Sequence, residues 1–223
     1  MPNLKLEDVS IHYEEVGKGP LAYVFCHGLG GSGQSFVEEF PFWIQHFPRV
    51  VTWDNRGLGQ SSQAAKYNLP LYAMDLAKLM DSLKITRAVV HGVSWGGVVT
   101  QQFALDYPDK CAALILDSTS SEVNVSASHN WYRQGEEARL DTEAKTGTLQ
   151  SNDYNFPSRQ VQERAGSIKP EHLESYVANA RGIAGLREHP FTPRLRHITA
   201  PVLVVGGGMD GTAGAGGSVV LAR

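Results

Sequence analysis

The chain alternates between short, fully apolar runs and longer stretches in which apolar residues recur at helical spacing. Five runs rich in β-branched and aromatic residues stand out: "LAYVFCHG" from residue 21, "RVVTWD" from 49, "RAVVHGVS" from 87, "CAALILDS" from 111 and "APVLVVGG" from 200. Strands of this uniform apolar character are covered on both faces. The opening "LKLEDVSIHYEEVGKGP" alternates with a period of two instead, which is typical of edge strands that close in a turn.

Helical periodicity lies between the apolar runs. In 70–84 and in 95–107 the apolar residues fall on one helix face, and Pro108 ends the second segment. These residues are Tyr72, Leu76, Leu79, Met80 and Leu83 in the first segment, and Val99 and Phe103 in the second. The order strand, helix, strand predicts an α/β fold with a mostly parallel, twisted sheet, right-handed crossovers and helices on both faces.

The pattern changes over 119–195, which is polar, lacks strand-like runs and contains amphipathic stretches such as "HLESYVANARGIAGL". We interpret this segment as a helical cap inserted into one core domain. The predicted core therefore has a first part over 1–118 and a second part over 196–223. The single low-complexity stretch is "GGGMDGTAGAGG" at 206–217.

Composition narrows the class of partner. The 223 residues carry 20 Lys and Arg against 23 Asp and Glu, a net charge of −3, without a basic cluster. We therefore expect a small-molecule partner, and neither nucleic acid nor a membrane. Charges in the first ten residues and the absence of an apolar stretch of roughly 20 residues predict a cytoplasmic protein. Cys26 and Cys111 lie in strand-like runs and suit reduced, buried thiols. The pattern gives no oligomeric state.

Two glycine motifs compete for the functional site. Gly28, Gly30 and Gly33 follow a strand with the spacing G-x-G-x-x-G, and Asp54 ends a later strand, as in a dinucleotide-binding fingerprint. Two strands precede this one, however, and Pro41 interrupts the helix that would hold a pyrophosphate. A dinucleotide-binding oxidoreductase is therefore the less favoured alternative.

The second motif is G-x-S-x-G, formed by Gly92, Ser94 and Gly96 between an apolar strand and a helix. This sharp turn needs small residues two before and two after the serine, and it exposes the Oγ atom at the helix N-terminus. The amide of Trp95 would then face a developing oxyanion, and the amide of Leu29 in "HGLGG" would supply a second donor. One site thus explains both glycine motifs, with His27 and Gly28 supporting it.

Several stretches in this order resemble the α/β-hydrolase superfamily over essentially the whole chain: "HGLGGSG" at 27–33, "DNRGLGQS" at 54–61, "GVSWGG" at 92–97, "FALDYPDKCAALILDS" at 103–118 and "PVLVVGGGMDGT" at 201–212. The resemblance is nearest to small esterases, enol-lactone hydrolases and C–C bond hydrolases with a helical cap. It implies that Asp210 is the acid of a catalytic triad and that a histidine follows it. No histidine follows Asp210, so the resemblance implies a fold that is C-terminally incomplete, without the last strand, histidine loop and last helix.

The eight histidines leave the question of the base open. We interpret His27 as a brace for the glycine loop and His91 as a buried strand residue, whereas His12, His46 and His197 suit structural positions. His129, His172 and His189 lie in or beside the predicted cap and are candidates for a replacement base. Asp117 is an alternative acid at a strand end. Trp131 and Tyr132 are candidates for the substrate pocket.

The sequence therefore predicts a serine hydrolase that acts on a carboxylic ester or lactone through an acyl-enzyme. Ser94 would attack, the amides of Leu29 and Trp95 would hold the oxyanion, and Asp210 would orient a histidine. Because that histidine is missing, we expect impaired activity. The alternative is a non-catalytic module that binds a small ligand. No cofactor and no metal are expected.

Overall fold

Seven strands form one sheet in a computed structural model of the protein, which describes residues 2–146, 168–210 and 214–222. The strand order is β1-β2-β4-β3-β5-β6-β7. β2 pairs antiparallel with β1 and β4, and the pairs from β4 to β7 are parallel. The bounds are β1 Asn3–Lys5, β2 Ser10–Gly17, β3 Leu21–Cys26, β4 Arg49–Trp53, β5 Arg87–Val93, β6 Cys111–Asp117 and β7 Val202–Val205.

Helices connect the parallel strands, and one more helix follows β7. They are α1 Phe40–Trp43, α2 Leu69–Ser82, α3 Trp95–Asp106, α4 Val125–Thr146, α5 Leu173–Ala184 and α6 Gly214–Leu221. Short 3₁₀ segments span Gly33–Glu39, Pro108–Lys110, Pro170–His172, Gly185–Arg187 and Thr192–His197. The predicted α/β class with a mostly parallel sheet is confirmed. The helix predicted over 70–84 ends earlier, because Lys84 adopts a left-handed backbone with φ 57°.

The two faces of the sheet carry different cores. α2 and α3 cover one face, where Leu76, Val90, Val99 and Phe103 are fully buried. The other face carries an aromatic cluster in which Phe25 stacks on Phe36, with ring centroids 4.5 Å apart. Burial of this kind contributes about 25 cal/mol for each Å² of apolar surface, so both faces stabilise the fold.

α4 and α5 pack against each other and lie between β6 and β7 in the chain. We call them the α4–α5 pair. Their contact includes Ala138, Tyr176 and Val177, which are buried together. The pair falls within the predicted cap at 119–195, but residues 147–167 of that range lie outside the described part. The predicted domain boundaries stay a prediction.

β7 leaves apolar side chains exposed. Val202, Leu203 and Val205 are 43%, 57% and 42% exposed. Leu203 lies beside Ile115 in the register with β6, and Val205 lies beside Asp117. Among the described strands, β7 pairs with β6 alone.

Candidate active site

Ser94 occupies the turn from β5 into α3 in a backbone conformation that side chains rarely adopt, with φ 53° and ψ −114°. Its amide donates to the carbonyl of Asp117 at 2.9 Å. Its own carbonyl accepts from the amide of Gly97 at 2.9 Å and from Oγ1 of Thr119 at 2.7 Å. The surrounding hydrogen bonds hold the strained turn in place, which is typical of functional positions.

Glycines allow the backbones to approach at this turn. A Cβ atom on Gly92 would lie 2.5 Å from the carbonyl carbon of Gly96, and one on Gly96 would lie 2.0 Å from the carbonyl oxygen of Cys26. Neither contact is possible for a larger residue. The small residues that the turn requires therefore also bring the start of α3 against the end of β3.

A cavity of about 440 Å³ lies over Ser94. Ser94, Ser120, Glu122 and Asn124 contribute polar groups to its lining, and several apolar side chains form the rest of its walls. The apolar lining includes Trp95, Val98, Trp131, Ile183 and Leu186. Mostly apolar walls with a few polar groups are typical of small-molecule sites.

The two aromatic residues predicted to line the pocket point in different directions. Trp131 lines the cavity. Tyr132 is not among the lining residues and is 51% exposed. The guanidinium carbon of Arg181 lies over its ring, 5.6 Å from the ring centroid. Consecutive residues of a helix are rotated by about 100°, so the two side chains leave α4 in different directions. The role of Tyr132 in the pocket stays a prediction.

The glycine loop after β3 lies against the serine. A Cβ atom on Gly28 would be 3.7 Å from Cβ of Ser94, and Gly30 needs its positive φ of 66°. Leu29 packs its partly buried side chain into the core and against the α4–α5 pair. The loop is thus placed beside Ser94, while the role of the Leu29 and Trp95 amides as oxyanion donors stays a prediction.

His27 has both ring nitrogens engaged by the backbone. Its Nε2 accepts from the amide of Asn55 at 3.0 Å, so Nδ1 carries the proton and donates to the carbonyl of Gly28 at 2.8 Å. Burial lowers the pKa of His27. A neutral histidine with two backbone partners braces the loop and has no lone pair left for Ser94.

His91 lies on the aromatic face of the sheet, away from α3. Its Nδ1 is 2.9 Å from the hydroxyl of Tyr23, and its Nε2 is 3.7 Å from Oδ2 of Asp117. Burial lowers the pKa of His91 as well. Asp117, the alternative acid, also accepts from Oγ of Ser118 at 3.0 Å.

The remaining histidines lie elsewhere. His12 is buried near Glu14, and Nε2 of His172 is 3.1 Å from the carbonyl oxygen of Gly59. The other four are exposed on the surface: His46, His129, His189 and His197. All eight histidines of the chain are described, and none lines the cavity over Ser94.

Asp210 lies five residues beyond the end of β7, in a turn where its amide donates to the carbonyl of Gly207 at 3.1 Å. It is not among the residues that line the cavity. The residues directly after it, 211–213, lie outside the described part. Its role as the triad acid stays a prediction.

The loop that matches the dinucleotide fingerprint is engaged by the fold itself. Oδ1 of Asp54 accepts from the amide of Gly33 at 2.6 Å, and Oδ2 accepts from the amide of Gln60 at 2.7 Å. In a dinucleotide site the carboxylate of Asp54 would bind a ribose, but here both of its oxygens accept hydrogen bonds from the backbone. The loop also leads into the 3₁₀ segment Gly33–Glu39 rather than into the start of an α-helix.

Two further features of the described residues bear on partners. No three His, Cys, Asp or Glu side chains among them come together in a way that could hold a metal ion. Likewise, no helix in the described ranges combines the length and apolar character needed to cross a bilayer.

Comparison with known proteins identifies the family to which this fold belongs. A model of the alpha/beta hydrolase fold matches residues 24–223, and the chain belongs to that family. A putative carbamate hydrolase, RutD, from Caulobacter vibrioides is 39% identical over 112 residues, which cover 48% of this chain and 41% of that protein. The aligned part thus spans about two fifths of that relative's length.

Two longer matches cover nearly the whole chain. The 3-oxoadipate enol-lactonase 2 of Acinetobacter baylyi is 25% identical over 215 residues, which cover 93% of this chain and 78% of that protein. The crystal structure of an enol-lactonase from Burkholderia xenovorans superposes with a TM-score of 0.78 at 23% identity. That superposition covers 99% of this chain and 86% of the other.

Proposed function

We propose that the protein is a serine hydrolase in which Ser94 attacks the carbonyl carbon of a carboxylic ester or lactone. The bond from this carbon to the alcohol oxygen breaks, the alcohol takes up the proton of the Ser94 hydroxyl, and an acyl-enzyme forms. The amides of Leu29 and Trp95 stabilise the oxyanion, and water releases the acid product. The observation that carries this proposal is Ser94 itself. It combines a left-handed backbone, the N-terminus of α3 and a mostly apolar cavity of about 440 Å³.

The names of the relatives support the substrate class. A carbamate hydrolase and an enol-lactonase both carry names that describe cleavage at a carbonyl carbon bonded to oxygen. The lining of the cavity over Ser94 suits such a group with an apolar substituent, because aliphatic and aromatic side chains form most of its walls.

The reactivity of Ser94 depends on a general base. A serine hydroxyl is a poor nucleophile at neutral pH without one, and no histidine of this chain lines the cavity. We therefore expect turnover to rest on the oxyanion donors and on binding, which in other triad enzymes leave an enhancement on the order of 10³ to 10⁴ over water.

A second candidate function follows from the same observation. A cavity without a histidine could bind a small apolar ligand and leave it unchanged. The two candidates differ in whether a covalent bond to Ser94 forms.

Incubation of the 223-residue chain with p-nitrophenyl butyrate, followed by mass spectrometry of its peptides, tests the proposal. An activated ester acylates Ser94 slowly and the acyl group persists, because deacylation also needs a base. Added imidazole, which is small enough for the cavity, should accelerate release of the acyl group. The Ser94→Ala variant is the control and should acquire no acyl group on this peptide. Butyrylation of another residue, or none on Ser94, would contradict the proposal and favour the binding module.

A further inference from the structure

A second cavity of about 410 Å³ adjoins the one over Ser94, between the start of α2 and the end of α5. Its lining includes Tyr67, Asn68, Tyr72 and His189. Trp95 and Leu186 line both cavities. Trp95, directly after Ser94 in the chain, thus borders both spaces.

Packing holds the Trp95 ring in one place. It is 1% exposed, and the ring of Tyr72 meets it edge-on with centroids 5.5 Å apart and an interplanar angle of 86°. A Cβ atom on Gly182 of α5 would lie 2.9 Å from the six-membered ring. Glycine inside a helix costs roughly 1 kcal/mol relative to alanine, and here its absent side chain makes room for the indole.

A buried amide fixes the same ring. With the carboxamide oxygen of Asn179 turned toward Trp95, it accepts from Nε1 at 3.2 Å. The Asn179 nitrogen then donates to the carbonyl of Ser175 at 3.1 Å and to the hydroxyl of Tyr72 at 2.5 Å. Asn179 is fully buried, so this orientation satisfies polar groups that water cannot reach. The α4–α5 pair thereby holds a residue of the core beside Ser94.

We propose that Trp95 is the specificity-determining wall of the site, and that Asn179 and Gly182 position it. Its ring closes the cavity over Ser94 on the side of the second cavity, and so limits the length of the apolar substituent that the site accepts. The substrate class is then esters or lactones whose apolar substituent fits within the cavity over Ser94. This inference rests on the proposed function for its meaning in catalysis, whereas the wall itself can be tested by binding alone.

The binding test uses the Ser94→Ala variant and a series of linear amides from butanamide to decanamide, with affinities from titration calorimetry. With Trp95 present, affinity should rise with chain length and then stop rising once the first cavity is filled. With Trp95→Ala added, affinity should continue to rise by roughly fourfold for each methylene group buried in the second cavity. Asn179→Ala should give a smaller shift in the same direction, because the ring is then free to move.

Ile183→Ala is the matched control. Ile183 is buried and lines only the cavity over Ser94, so its removal enlarges that space without joining the two. In Ile183→Ala, the amide chain length at which the affinity stops rising should increase by no more than one or two methylene groups. If the affinity stops rising at the same amide chain length in Trp95→Ala and in Ile183→Ala, the proposal is overturned. Should Trp95→Ala not fold by circular dichroism, Trp95→Leu keeps the core apolar and should still extend the limit.

A parallel series of p-nitrophenyl esters, acetate to decanoate, separates the two proposals. A shift of the rate of p-nitrophenol release toward longer esters in Trp95→Ala supports both. Failure of every variant that keeps Ser94 to release p-nitrophenol from any ester counts against the proposed function, while the amide series still decides whether Trp95 is the wall.

Discussion

At the scale of single residues, His27 makes stability depend on pH. Burial lowers its pKa below the ordinary value of about 6.5. In the interval just below pH 6.5 the unfolded chain therefore binds a proton that the folded chain does not, and stability falls as the pH decreases. We expect the free energy of unfolding, measured in urea, to be highest above this interval. His27→Gln should lower the stability at pH 8 but also flatten its decline toward acid.

His91 titrates in the same direction, so the decline should become smaller in His27→Gln rather than vanish. His129 is exposed on α4, and His129→Gln is the control for the substitution itself, which should change the free energy of unfolding at pH 8 by no more than about 0.5 kcal/mol. Parallel curves for the parent chain and His27→Gln would show that the loop does not hold His27 neutral.

The sequence revealed some of these residues because their constraints are local. Ser94 and its flanking glycines were predicted from a single turn whose geometry few residues tolerate. The ring of Trp95 was given no role, because its partners Tyr72, Asn179 and Gly182 are far away in the chain. Its neighbours depend on how α5 docks, which hydrophobic periodicity does not encode. The spacing of Asn179 and Gly182, three residues apart on one helix face, was the available signal.

At the scale of elements, the contact of α3 with the end of β3 depends on Gly96. Gly96→Ala would place a methyl group 2.0 Å from the carbonyl oxygen of Cys26, so the helix start must shift. We expect a loss of about 1–3 kcal/mol or more in the free energy of unfolding, measured in urea. Gly185 has φ −66° and nothing within 4 Å of an added Cβ, so Gly185→Ala should be neutral or stabilising by about 0.4–1 kcal/mol. Equal effects of the two would contradict the close approach.

Elements with a strong pattern were predicted well, and those without one were not. The apolar runs became β3 to β7, because strands covered on both faces must be apolar along their whole length. α4 has no comparable stripe, and its 22 residues are held by contact with α5. The direction of the Tyr132 side chain could not be predicted for the same reason, since the rotation of a helix about its axis depends on its partner.

At the scale of the whole molecule, Arg56 ties distant parts of the fold together. Its fully buried guanidinium donates to Asp75 on α2 at 2.7 and 2.8 Å and to Asp8 between β1 and β2 at 2.9 Å. Its carbonyl accepts from Oγ of Ser175 on α5 at 2.8 Å. One residue thus joins the sheet edge, α2 and the α4–α5 pair.

Removal of Asp75 takes away two buried hydrogen bonds of the Arg56 guanidinium and leaves its pairing with the partly exposed Asp8. We expect Asp75→Ala to lower the free energy of unfolding by about 3–5 kcal/mol, measured by urea denaturation. Asp81 offers the control on the same helix, because it pairs with Lys110 while 63% exposed. Asp81→Ala should cost at most about 1 kcal/mol. Similar losses for both variants would show that Arg56 does not depend on Asp75.

The strand order has a kinetic consequence. Leu21 pairs with Arg87, and Leu114 pairs with Val202, so the sheet closes across long stretches of chain. The chain loses the entropy of closing these long loops before the strands gain their hydrogen bonds. Parallel sheets of this kind therefore fold slowly. During that delay the apolar strands β3, β5 and β6 are exposed together to other copies of the chain. The yield of soluble protein from a cell should therefore be limited by the rate of folding, and slower synthesis or a chaperone should raise it even where the stability is unchanged.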